Sequence, residues 1–164
     1  MAVAPPKPRR LELGRYDVAS FLMYFVYAAG SLVIPISLVA LARELGFSLE
    51  EGGLTAGGSL QIGRSASIVV TMLVCGFAAG RFGSRGTLGW SVLLVGIGLA
   101  MCAAAPSYTV LFLALVVAGI GEGVVEGLAT PFVQELHPEE PGRYVNFSHA
   151  FWSVGVLVTV LVAG

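Results

Sequence analysis

Five long apolar stretches constrain the fold of this chain more than any other feature of its sequence. They cover residues 18–42, 54–80, 87–105, 108–136 and 144–164, and short polar segments separate them. Each has the roughly 20 residues that a helix needs to cross a hydrocarbon layer. The sequence therefore predicts an all-α membrane protein with five membrane-spanning helices, preceded by a mostly unstructured cytoplasmic tail at residues 1–17.

The first stretch has a second interpretation, because a basic segment precedes it and it ends on Ala-Leu-Ala, as a cleaved signal peptide does. A signal core is usually about 7–15 residues long. The greater length of this stretch favours a helix that is retained.

Composition supports a membrane protein and excludes several other classes. Hydrophobic residues make up 56% of the chain and charged residues 12%, whereas a soluble domain carries about 25% charged residues. The net charge of −1 does not indicate nucleic-acid binding. Cys75 and Cys102 lie within apolar stretches, and the sequence lacks metal-ligand spacing, a nucleophile with a nearby base and a phosphate-binding loop. We therefore predict no enzyme, metal or cofactor.

Two acids lie inside the fourth apolar stretch, at Glu122 and Glu126. Their spacing places them on one helical face, which Thr130 continues. An acid at membrane depth must be paired, protonated or in contact with water, and burial disfavours its charged form. Glu126 is therefore the first candidate for proton coupling and Glu122 the second. If both face one cavity they titrate as a coupled pair; alternatively, one is neutral and bonds a neighbouring helix.

Three glycines form a second stripe on the same helix, at Gly119, Gly123 and Gly127. Small residues at this spacing let another helix approach closely.

The first helix carries a polar face as well, formed by Tyr24, Tyr27, Ser31 and Pro35. Pro35 has no N–H and leaves the carbonyl of Ser31 without its helical donor. The resulting polar kink either faces a cavity or packs against a neighbour. In the second helix, Arg64 is predicted to pair with a membrane acid or with an anionic substrate group, or else to extend to the outer interface.

The distribution of basic residues predicts the topology. The loops after the first and third helices contain a single basic residue, Arg43. The tail and the loops after the second and fourth helices, on the opposite side of the membrane, contain Lys7, Arg9, Arg10, Arg15, Arg81, Arg85 and Arg143. This places the N-terminus in the cytoplasm, with the protein in an inner or plasma membrane.

The loop between the second and third helices reads G-F-A-A-G-R-F-G-S-R. It resembles the signature G-x-x-x-D-R-x-G-R-R/K of the major facilitator superfamily, matched at Gly76, Arg81, Gly83 and Arg85, with Gly80 in place of the acid. The resemblance implies the N-terminal helical bundle of that fold, truncated after the fifth helix, with the C-terminal helices missing. A tight turn with arginines that latch a neighbouring helix end is expected here.

The fourth and fifth helices resemble the fucose–proton symporter branch of that superfamily, over residues 126–133 and 146–155. In that branch the glutamate at the position of Glu126 is implicated in proton coupling, and polar residues of the fifth helix border the sugar. Ser31 stands where the branch has a second acid. The substrate-binding residues implied by the resemblance and by the polar faces are Tyr27, Ser31, Arg64, Thr130, Asn146, His149 and Trp152.

Two of these residues have structural alternatives. His149 accepts a proton, bonds a sugar hydroxyl or makes only a structural contact, and Trp152 stacks on a sugar or anchors the interface. His137 is predicted to be solvated in its loop.

Together these features predict a proton-coupled symporter of a sugar or similar small polar solute, working by alternating access. Its partners are the lipid bilayer, the solute and protons. The alternatives are proton-antiport efflux of drug-like compounds and a non-transporting membrane protein that binds partners through its glycine-rich faces.

Overall fold

The computed structural model describes residues 11–49 and 56–163, and this part of the chain is built from five helices. They are α1 (Arg15–Leu45), α2 (Ala56–Phe82), α3 (Ser84–Ala103), α4 (Tyr108–Leu136) and α5 (Pro141–Ala163). All five are long and apolar enough to cross a membrane. The predicted all-α membrane fold is confirmed.

The bounds of α4 coincide with those predicted, whereas α1, α3 and α5 begin earlier and α2 is described from Ala56. α1 starts three residues inside the predicted tail because Asp17 accepts the backbone N–H of Gly14 through Oδ2 at 2.7 Å. α5 starts at Pro141 rather than at residue 144, since proline suits the first position of a helix. Residues 1–10, 50–55 and 164 of the predicted tail, loop and helices lie outside the described residues.

Helix α3 begins at Ser84, three residues before its predicted start, because only Gly83 separates it from α2. Gly83 has a φ of 78°, which glycine adopts without the steric cost that a Cβ brings. The two helices therefore reverse direction within a single residue. α3 then ends at Ala103, two residues before its predicted end.

Helix α4 is the most buried of the five and organises the bundle. It packs chiefly against α2 and α3, while α1 packs chiefly against α5. α4 also contacts α1 and α5 over smaller areas. The described bundle thus consists of an α2–α3–α4 group and an α1–α5 pair.

The predicted glycine stripe on α4 faces α2. A Cβ added to Gly119 would lie 2.7 Å from the carbonyl oxygen of Arg64, and one added to Gly127 would lie 2.6 Å from the Sγ of Cys75. A Cβ added to Gly123 would likewise lie too close to the carbonyl oxygen of Ile68. The stripe therefore sets the close approach of α2, as its spacing predicts.

Gly121 has the same role toward α3. A Cβ at this position would lie 2.5 Å from the carbonyl oxygen of Ser91 and 2.8 Å from the backbone nitrogen of Val95. We expect Gly121→Ala to lower the free energy of unfolding by about 1–3 kcal/mol, because α3 must shift to make room. Gly96→Ala is the matched control, since a Cβ there meets nothing within 4 Å. Equal thermal stability of the two variants would contradict this packing.

Candidate functional site

Helices α1 and α4 run antiparallel, and polar contacts join the N-terminal half of α1 to the C-terminal half of α4. We call this set of contacts the polar seam. Contacts made by residues nearer the C-terminus of α1 involve residues nearer the N-terminus of α4. From the N-terminal end of α1 its contacts are Asp17 with His137, Tyr24 with Thr130, Tyr27 with Glu126, and Ser31 with Arg64, which in turn holds Glu122.

The middle of the polar seam borders a cavity of about 280 Å³ between α1, α4 and α5. Tyr27 donates its hydroxyl to Oε2 of Glu126 at 2.7 Å. One turn away, the hydroxyls of Tyr24 and Thr130 lie 2.9 Å apart. The lining residues are Tyr24, Tyr27, Val125, Glu126, Thr130, His149 and Trp152.

Helix α5 supplies aromatic groups to this cavity. The imidazole of His149 lies 5.1 Å from the ring of Tyr24, between ring centroids, at a tilt of 48°. Trp152 lies one turn from His149 and is 38% exposed. The cavity therefore combines a carboxylate, two phenols, an alcohol, an imidazole and an indole. Such a set can hydrogen-bond a polar solute and pack against an apolar face of it.

A second polar cluster lies one turn deeper on α4 and is closed to solvent. Arg64 is 4% exposed and Glu122 is 0% exposed. The guanidinium of Arg64 donates through Nε to Oε2 of Glu122 at 2.9 Å and through Nη2 to Oε1 at 2.8 Å. Its Nη1 donates to the carbonyl oxygen of Ser31 at 3.3 Å. In this bidentate ion pair each buried charge is compensated by the other.

The alternative in which Arg64 extends to the outer interface is wrong, since its side chain is buried against α4. Of the alternatives that the sequence left open, the structure contains the pairing with a membrane acid. Glu122 and Glu126 therefore do not share one cavity: Glu122 lies in the ion pair and Glu126 lines the cavity.

The structure brings together five of the residues predicted to bind solute or protons, namely Tyr27, Glu126, Thr130, His149 and Trp152. Ser31 and Arg64 belong to the buried cluster, and the hydroxyl of Ser31 donates to the Ala28 carbonyl at 2.8 Å. Asn146 is exposed and does not line this cavity.

Tyr24 lines the cavity but was not among the predicted site residues. Its spacing from Tyr27 on the polar face of α1 was a signal for it. The sequence could not separate a bend packed against a neighbour from a cavity wall, because the distinction depends on which helix lies opposite.

The loop signature forms a latch to the start of α1. Arg85 donates from Nη1 to the hydroxyl of Tyr16 at 3.2 Å, and its guanidinium carbon lies 4.2 Å from the centroid of that ring. Arg81 is exposed, with its guanidinium carbon 5.9 Å from the ring centroid of Phe82. Gly76 has open space around its Cα. One arginine of the signature therefore reaches a neighbouring helix end.

The interpretation of His137 as a solvated loop residue is wrong, because the structure half-buries it. Its Nε2 lies 2.6 Å from Oδ1 of Asp17, and its ring stacks on Tyr144 with centroids 3.4 Å apart. The Tyr144 hydroxyl accepts the backbone N–H of Glu12 at 3.0 Å. These contacts join the start of α1 to the connection between α4 and α5.

Metal ligands do not cluster in the described part of the chain: within residues 11–49 and 56–163, no three His, Cys, Asp or Glu side chains lie close enough to hold an ion.

Comparison with known proteins places the chain among membrane transporters. The sequence profile of the Major Facilitator Superfamily matches residues 20–164. The chain is similar to the niacin transporter NiaP of Acinetobacter baylyi, with 33% identity over 89 residues that cover 54% of this chain and 20% of that protein. It thus spans about 20% of the length of the curated relative that it matches. No solved structure matches it. Since the profile covers nearly all of its residues, the chain is an integral multi-pass membrane protein that belongs to the Major Facilitator Superfamily of transporters.

Proposed function

We propose that the intact protein carries a sugar or a similar small polar solute across the membrane together with protons. Glu126 carries this proposal. It is a carboxylate within a membrane-spanning helix, it lines a cavity, and its hydrogen-bond partner Tyr27 is neutral. Among the described residues its carboxylate forms no ion pair. An acid in this position can take up and release a proton as the cavity opens to either side.

The chemistry of the cavity favours a neutral solute rich in hydroxyl groups. Glu126 and the hydroxyls of Tyr24 and Thr130 offer acceptors and donors, and Trp152 offers a flat apolar surface. These groups suit the two faces of a sugar ring. The similarity of residues 126–133 and 146–155 to the fucose–proton symporter branch also supports a sugar.

An aromatic acid is the second candidate, because the relative described above is a niacin transporter. The aromatic rings of Tyr24, His149 and Trp152 suit a pyridine ring. Among the described residues, however, no lysine or arginine lines the cavity, and the guanidinium of Arg64 is engaged by Glu122. The carboxylate of such a solute would lie near the acid Glu126 without a cation to pair with it. A sugar is therefore the better fit.

We infer that the N-terminus lies in the cytoplasm, with the protein in an inner or plasma membrane. The signature loop at Gly83 and the start of α1 lie at the same end of the bundle, joined through Arg85 and Tyr16. Basic residues concentrate at this end, and cytoplasmic loops carry such an excess.

Uptake assays in proteoliposomes test this proposal. The intact protein is reconstituted, an inward proton gradient is imposed, and radiolabelled fucose, glucose and nicotinate are offered separately. We expect accumulation of a sugar that collapses when a protonophore is added. Nicotinate accumulation with no sugar uptake would favour the second candidate. Proton-driven export of a dye with uptake of neither would establish the efflux alternative and overturn the proposal.

A further inference from the structure

A proline within α1 leaves a backbone acceptor without its helical donor. Pro35 lies inside α1 and has no N–H, so the carbonyl of Ser31, four residues earlier, receives no bond from it. An unpaired carbonyl at membrane depth is costly, because no water replaces the lost donor. The Ser31 hydroxyl does not compensate, since it donates to the carbonyl of Ala28.

A side chain from another helix occupies the place of this donor. Nη1 of Arg64 on α2 lies 3.3 Å from the Ser31 carbonyl oxygen. The carboxylate of Glu122 on α4 accepts hydrogen bonds from the other two guanidinium nitrogens, Nε at 2.9 Å and Nη2 at 2.8 Å, which fixes the plane of the guanidinium.

This contact also crosses between the two groups of helices. α2 packs chiefly against α4, and α1 packs chiefly against α5. Arg64 therefore spans from the α2–α3–α4 group to the backbone of α1. We propose that Arg64 replaces the hydrogen-bond donor that Pro35 removes, and thereby positions the turn of α1 that presents Tyr27 to Glu126.

Tyr27 lies one turn before Ser31 on the same face of α1, and its hydroxyl donates to Glu126 at 2.7 Å. Arg64 is thus a positioning residue: it acts on Glu126 through the α1 backbone and does not line the cavity. The titratable groups that border Glu126 are Tyr24 and Tyr27 from α1 and His149 from α5. The Arg64–Glu122 pair lies one turn away on α4.

A double-mutant cycle tests the link between Arg64 and Pro35. Arg64→Lys keeps the charge beside Glu122 but loses the planar fork, and Pro35→Ala gives the Ser31 carbonyl its own backbone donor. We expect Arg64→Lys to lower the melting temperature of the intact protein by about 6 °C when Pro35 is present and by about 3 °C when alanine replaces it. The loss of fork geometry at Glu122 is common to both backgrounds and cancels in the cycle.

Pro131→Ala provides the matched background, because Pro131 also lies inside a helix, α4, and the hydrogen bonds of Arg64 go to Glu122 and Ser31 instead. There the cost of Arg64→Lys should remain about 6 °C. Equal costs in the wild-type and Pro35→Ala backgrounds would overturn the proposal. If Arg64→Lys fails to fold, recovery of folded protein in the Pro35→Ala background but not in the Pro131→Ala background supports it, and failure in both overturns it.

The expected effect of Arg64 on the titration of uptake rests on the proton-coupled transport proposed above. The hydrogen bond from Arg64 to the Ser31 carbonyl oxygen does not depend on that proposal. Tyr27→Phe removes a donor that stabilises the charged carboxylate, so the pH of half-maximal uptake should rise by about one unit. Arg64→Lys should raise it in the same direction by a smaller amount. Reduced uptake with an unchanged pH profile would mean that Arg64 does not position Tyr27. Absence of uptake in the wild type would refute the transport proposal and leave the melting-temperature cycle valid.

Discussion

Glu126→Gln should abolish proton-driven uptake by the intact protein while solute binding persists. The amide keeps the shape of the side chain and still accepts the hydroxyl of Tyr27, but it cannot bind and release a proton. We expect initial rates under an imposed proton gradient to fall by about a hundredfold or more, the size of effect typical when a proton-transferring group is removed. Exchange of labelled for unlabelled solute, without a gradient, reports whether binding remains.

Glu135→Gln is the matched control for this prediction. Glu135 lies on the same helix and is exposed near its C-terminal end, away from the cavity around Glu126. Its substitution should leave both gradient-driven uptake and exchange unchanged. Uptake by Glu126→Gln that retains the wild-type pH dependence would remove Glu126 from the mechanism.

Breaking the buried ion pair should have the largest effect on stability. Glu122→Gln leaves the guanidinium of Arg64 buried without a counter-charge, and breaking such a pair costs about 3–5 kcal/mol. For a domain of this size we expect the melting temperature to fall by about 10 °C. Thermal unfolding of the purified protein in detergent measures the change.

The double variant Arg64→Met with Glu122→Met separates the buried charge from simple loss of packing. Removing both partners eliminates the uncompensated charge, so most of the lost stability should return. Arg81→Met is the control, because Arg81 is exposed on the same helix as Arg64. A double variant no more stable than Glu122→Gln would show that the pair does not carry the cost assigned to it.

The membrane-spanning fold could be predicted from the sequence because helix length and hydrophobicity are local properties. The α4 bounds followed from a long, mainly apolar run between Ser107 and His137. The start of α1 was missed, since it depends on one side-chain cap, in which Asp17 accepts the Gly14 N–H. The start of α3 was missed because the single-residue turn at Gly83 permits a helix where a loop was expected.

The candidate site was predictable in its members more than in its arrangement. Spacing placed Glu126 and Thr130 on one face. The structure brings the predicted Tyr27 and His149 opposite them and adds Tyr24. Whether Arg64 would reach a membrane surface or an acid depended on the distance between α2 and α4, which the glycine stripe on α4 sets. The sequence identified that stripe but not the helix that would pack on it.

The polar seam itself lay beyond sequence analysis. It arises because α1 and α4 run antiparallel in a particular register, so that Tyr27 meets Glu126 and Asp17 meets His137. Neither helix alone contains information on that register. Its polar contacts join the α1–α5 pair to the α2–α3–α4 group, between which the packing is less extensive than within each group.

Solute-dependent proton movement is the most direct measurement of whether the Glu126 carboxylate couples protons to transport. The intact protein is reconstituted in weakly buffered vesicles that carry no gradient, a sugar is added outside, and the external pH is recorded. We expect external alkalinisation as protons enter with the solute, and no such change for Glu126→Gln. Entry of the labelled sugar into wild-type vesicles with a constant external pH would contradict it.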